Sequence, residues 1–166
     1  RDTLDFDMDG NITEQMAYDS YSSTIVAIAN LSSEKKSRGS MDTTYSTLGN
    51  TVTGGVANYR LVISNKGSVG MKNITLVDIL PYVADKNLVA QTSKGSQWSP
   101  FLAGPVNAPA GVNVFYSVVE DINGSDLGVA GGPNAPNWSM TLPDPITDVK
   151  AIKFEYAHDY PSNVLA

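Results

Sequence analysis

The chain has 166 residues, 17 of them acidic and 11 basic, which gives a formal charge of −6 at neutral pH, and it contains no cysteine. Disulfides, thiolate metal sites and cysteine nucleophiles are therefore excluded, and scattered basic residues in an acidic chain provide no electrostatic footprint for nucleic acid or an anionic lipid surface. Leu, Ile, Val and Phe supply 40 residues, about 24% of the chain, above the ~20% below which chains tend to stay disordered, so one compact domain with a sizeable core, or one plus a fragment, is expected.

The first motif along the chain is Asp5-Phe6-Asp7-Met8-Asp9-Gly10-Asn11. It repeats the opening half of a D-x-D-x-D-G calcium loop, in which alternate carboxylates wrap a hard cation and glycine permits the sharp turn. Asp5, Asp7, Asp9 and the carbonyl of Asn11 are the candidate ligands. The twelfth position, normally a bidentate Glu, is Met16, so Glu14 or Asp19 has to take its place. The plainer alternative is a solvated acidic linker.

Next comes a two-sided apolar run, Ile25, Val26, Ala27 and Ile28, which predicts a short buried strand. Residues 56–64 alternate, with Ala57, Tyr59, Leu61 and Ile63 on one side and Asn58, Arg60 and Ser64 on the other, the pattern of a half-buried antiparallel strand. Residues 74–80 form another apolar run. Val112, Val114, Tyr116 and Val118 repeat the alternation, and so do Ile152, Phe154 and Tyr156, with Lys153 and Glu155 facing away. Turn signals separate these segments at Gly54-Gly55, Asn65-Lys66-Gly67, Asn123-Gly124 and Gly131-Gly132-Pro133. No stretch has helical spacing over ten residues, and no apolar run approaches the ~18 residues of a membrane span. The prediction is all-β, an antiparallel β-sandwich whose core includes Tyr59, Leu61, Ile63, Val114, Tyr116, Ile152 and Phe154. Long Gly-, Pro- and Asn-rich loops lie at 84–110 and 122–145.

Residues 49–89 carry a glycine turn (Gly54-Gly55), a strand with Tyr59, Asn65 with Gly67, a second strand and Asp78-Ile79-Leu80-Pro81. This pattern resembles the conserved repeat domain of large Gram-positive cell-wall-anchored surface proteins. The likeness extends upstream through Glu34-Lys35-Lys36 and Gly39, and downstream through Trp98, Gly104-Pro105, Phe115-Tyr116-Ser117, Asn137-Trp138 and residues 149–154, about 130 residues in all. The resemblance implies an Ig-like, extracellular module in tandem with neighbouring repeats of the same chain, a spacer in an adhesin or stalk at the cell surface. Residues 31–166 would be the repeat domain. Residues 1–30 look like an acidic linker and strand at the tail of a preceding one; the family's closing strand is missing before Ala166, and either a domain is truncated at each end or the strand near residues 24–29 fills its place. The chain opens on Arg1 without an apolar leader, which suggests a piece of a longer protein.

Three further sets of residues are candidates for chemistry. Surface modules of this kind sometimes join a Lys amine to an Asn amide beside a buried carboxylate. Such an isopeptide cross-link needs a desolvated neutral lysine and a protonated acid, and Lys35 or Lys36 with Asp78 would be the members here. The simpler role for Asp78 is to cap the turn at Leu80-Pro81. Trp98, Phe101 and Trp138 would contact a host protein or glycan if their rings are exposed on one rim, and would pin the loops if packed beneath them. His158, the sole histidine, lies beside Asp159, but no nucleophile signature accompanies it, so the chain is not expected to be an enzyme.

Overall fold

The structure, a computed structural model, describes residues 27–87, 90–120, 122, 138–159 and 161. Its elements are five strands, β1 (Leu31–Arg38), β2 (Asn58–Asn65), β3 (Ile74–Ile79), β4 (Val112–Ser117) and β5 (Ala151–Tyr156), with a 3-10 turn at Ile146–Asp148 before the last. There is no α-helix among the described residues. The three strands predicted from alternation, and the one predicted from the apolar run at 74–80, lie within a residue or two of their expected bounds. β1, with sequence LSSEKKSR, has no apolar alternation and is extended because it pairs along its whole length with β2.

All pairing is antiparallel. β1 and β2 form one sheet, from Leu31 opposite Asn65 to Arg38 opposite Asn58. In the second, β5 is central, flanked by β3 and β4, so that Val77, Lys153 and Phe115 lie side by side on one face and Leu76, Phe154 and Val114 on the other. The two sheets face one another across a cavity of about 800 Å³ walled by Leu61 and Ile63 from β2, Leu76 from β3, Phe154 from β5, and Leu102 and Val106 from the loop before β4. This arrangement is consistent with a β-sandwich.

Both faces of the three-stranded sheet are covered. Toward the cavity, Tyr116, Val149 and Ile152 are buried among Leu80, Val114, Leu142 and Phe154. On the opposite face Phe115, Ile122, Trp138 and Ala151 form a second cluster, with Val77 and Ile79 against it. That second layer corrects the alternation reading of β5. Lys153 and Glu155 do not face water; they are 0% and 2% exposed, because Ile122 and Trp138 lie over the face on which they stand.

Other corrections follow from the way the sheets meet. Tyr59, expected in the core, is 41% exposed at the rim of the two-stranded sheet, and Val118 lies beyond the end of β4 at 52%. Ile28 is exposed as well: residues 27–30 extend β1 alongside the turn after β2, where Lys66 N donates to Asn30 O and Ser68 N to Ile28 O, rather than forming a buried strand. Residues 25 and 26 of that run lie outside the described residues.

The two tryptophans are in opposite environments, Trp138 at 6% exposure and Trp98 at 55%. Trp138→Ala is expected to cost about 3–5 kcal/mol of folding stability, as for other large-to-small core changes. Trp98→Ala should stay within about 0.5 kcal/mol of the parent. Urea denaturation of the two variants measures both values; equal losses would contradict this description of the core.

Candidate functional site

Three groupings of ionisable side chains stand out among the described residues. The first is a clasp between the sheets. Lys35 is on β1 opposite Leu61, and its Nζ reaches across to Asp78 Oδ1 on β3 at 2.6 Å while lying 4.5 Å from the centroid of the Tyr59 ring. Asp78 and Tyr59 both border the cavity. Burial, followed by the negative charge of Asp78, holds the Tyr59 hydroxyl above its ordinary value of 10.0, so it remains a neutral donor at neutral pH. Lys36 points to the other side of β1, where its Nζ is 3.3 Å from Glu34 Oε2. Of the sequence-derived lysines, then, the fold brings Lys35 and not Lys36 to Asp78.

The second place was not singled out in the sequence. On β5, Lys153 and Glu155 share a face, and Nζ lies 2.7 Å from Oε1. The ammonium is also 4.7 Å from the Phe115 ring centroid and 5.2 Å from that of Trp138, so two aromatic faces border it as well. Removing both charges from water costs on the order of several kcal/mol per ion, and the close charge contact and the aromatic rings offset part of that cost. The sequence carries only the i, i+2 spacing of the pair; the central place of β5, which allows both faces to be covered, comes from the sheet order.

The third is Asp85, fully buried next to the isolated bridge between Lys86 and Ser93. Its Oδ2 accepts from the Ser96 hydroxyl at 2.8 Å and lies 3.3 Å from Lys94 Nζ. Burial pushes the Asp85 carboxyl up, but the Ser96 and Lys94 interactions together outweigh it and hold the group below its ordinary value of 3.8. Asp42 is also held low, by the Asn50 side chain first and then by the backbone amides of Asn50 and Gly39.

The remaining sequence candidates are dispersed. Trp98 and Phe101 lie on the exposed loop before β4, at 55% and 65%, whereas Trp138 is in the core. His158 stacks edge-on against Tyr156 at 5.9 Å, and Asp159 pairs with Lys72 at 3.0 Å. The calcium motif Asp5, Asp7, Asp9, Asn11 and Glu14 lies outside the described residues, and among the described residues no cluster of metal-ligating side chains forms. No helix among the described residues is long and apolar enough to cross a membrane. Comparison with family models, curated proteins and solved structures gave no match.

Two outcomes are expected. Lys153→Met leaves Glu155 buried without its counter-charge and should cost about 3–5 kcal/mol, whereas Lys153→Met with Glu155→Leu should be more stable than the single variant; denaturant midpoints decide, and additive losses would refute the pairing. Asp42 and Asp85 have folded-state values below their unfolded ones, so their contribution is present above about pH 4 and is lost as the pH falls through the folded values. Asp42→Asn and Asp85→Asn should each flatten the stability profile below that pH, and an unchanged acid limb in stability-versus-pH curves would refute this.

Proposed function

We propose that this chain is a structural module, an Ig-like spacer that projects or stiffens the stalk of a surface adhesin attached to a Gram-positive cell wall, in line with neighbouring repeats. The observation that carries the reading is the environment of β5. It is hydrogen-bonded to a strand on each side and covered on both faces, and it is pinned by a desolvated ion pair beneath Trp138. Such a strand leaves the fold only when the whole sheet ruptures. The resemblance of residues 49–89 to surface-protein repeats and the Lys35 to Asp78 clasp between the sheets support the same role.

A tensile role is tested by pulling. Single-molecule extension of the full chain through handles at its two ends should show one cooperative rupture, at lower force in Lys153→Met. Gradual extension at low force without a rupture step would remove the proposal.

The second reading is a ligand-binding adhesin module, favoured by the exposed rings of Trp98 and Phe101 on one loop. Its partner would be a host protein or glycan. If it holds, Trp98→Ala with Phe101→Ala abolishes adhesion of particles coated with the chain to host matrix while the rupture force is unchanged. If adhesion also persists unchanged, the loop is not the contact.

A further inference from the structure

The face of the two-stranded sheet opposite to Lys35, Tyr59 and Leu61 carries Glu34, Lys36 and Arg38 from β1 and Asn58, Arg60 and Val62 from β2, and at its edge Asn58, Arg60 and the nearby Tyr45 also border the cavity. Lys36 stands directly opposite Arg60, and like charges in opposed positions destabilise a strand pair. Glu34 compensates Lys36, but no carboxylate among the described residues pairs with Arg38 or Arg60. Both guanidiniums instead sit against one ring, with Cζ 4.9 Å (Arg38) and 4.4 Å (Arg60) from the Tyr45 centroid, and so within about 9 Å of each other.

Backbone and side-chain hydrogen bonds hold that ring in place. Ser37 and Ser46 exchange backbone hydrogen bonds of 2.7 and 3.0 Å, folding the loop back on β1. Within the loop Asp42 accepts from Gly39 N at 2.8 Å, Asn50 N at 2.6 Å and Asn50 Nδ2 at 3.0 Å. The approach of Gly39 to Asn50 is so close that a Cβ there would meet the Asn50 carbonyl oxygen. A guanidinium laid on an aromatic face keeps its edge donors available for a carboxylate. The face is therefore a fixed cationic site lacking its anion.

The counter-charge is in the same chain. Residues 1–26 hold six carboxylates and one arginine, a charge of −5 out of the total of −6. In an extended segment, side chains at i and i+2 point the same way at a spacing of about 7 Å, so successive members of the series Asp5, Asp7, Asp9 match two guanidiniums held within about 9 Å. The reach suffices. The path from Ala27 along β1 to Arg38 is roughly 36 Å, whereas the residues between Asp9 and Ala27 span up to roughly 59 Å when extended.

We propose that this face of the β1 and β2 sheet, built on Arg38, Tyr45 and Arg60, is the docking site for the acidic N-terminal stretch 2–9 of the same chain, with the Asp5, Asp7 and Asp9 carboxylates on the guanidiniums. The proposal does not depend on the spacer reading. It gives the acidic motif a protein partner in place of a metal.

The chain has no cysteine, so two introduced thiols can be labelled cleanly. Spin labels on Met8→Cys and Thr43→Cys of the full chain, measured with a chelator present, should give a short, narrow distance distribution. That population should be lost in Arg38→Ser with Arg60→Ser, in Asp5→Asn with Asp7→Asn and Asp9→Asn, and in high salt. Reversing both sides, by Arg38→Glu with Arg60→Glu and Asp5→Lys with Asp7→Lys and Asp9→Lys, should restore it. A distribution that is broad in the parent, or unchanged by the arginine substitutions, overturns the proposal. So does a short distance that disappears when labelled chain is diluted with unlabelled chain, because the occupant is then a second copy.

Discussion

The rest of the fold is organised around the burial of Lys153 beside Glu155. An isolated charge in that position would be expelled from the interior. The paired ions are retained because Nζ and Oε1 are in direct contact and the Phe115 and Trp138 rings present their faces to the ammonium. Such an arrangement fixes more than energy. The pair tolerates only one register of β5 between β3 and β4, since a slip by one residue would carry Lys153 and Glu155 to the cavity side and put Ile152 and Phe154 under Trp138.

From that strand outward, the structure becomes progressively looser. The three-stranded sheet is covered on both faces, whereas the two-stranded sheet opposite it leaves a cavity along one side. The Lys35 to Asp78 contact ties the two layers at the rim. With side-chain exposures of 38% and 15%, this ion pair works closer to water and contributes less than the buried one. Its place at the edge makes it a clasp on sheet separation.

What could be read from the sequence, and what could not, follows from what periodicity measures. Alternation at Tyr59, Leu61 and Ile63, and again at Val112, Val114 and Tyr116, located β2 and β4 because an apolar period of two records which side chains share a face. It does not say what covers each face. Lys153 and Glu155 were therefore read as solvent-facing, and the cover that buries them comes from Ile122 and Trp138, outside the strand. β1 left no apolar period because its role is backbone pairing and surface charge. Asp78 beside Lys35 was visible in part, since Asp78 alternates with Leu76 and Ile74 toward the interior, but choosing Lys35 over Lys36 required the register with β2. The cationic face leaves no pattern in the sequence because Arg38, Tyr45 and Arg60 are brought together by a loop that doubles back.

The central claim is that β5, with its buried ion pair, is the last part of the molecule to open. Native-state hydrogen exchange measures this directly. The amides of Ile152, Lys153 and Phe154 are predicted to exchange only through global unfolding, with the highest protection in the chain, while β1 amides exchange through smaller openings. Protection of β5 at or below that of β1 would contradict the account.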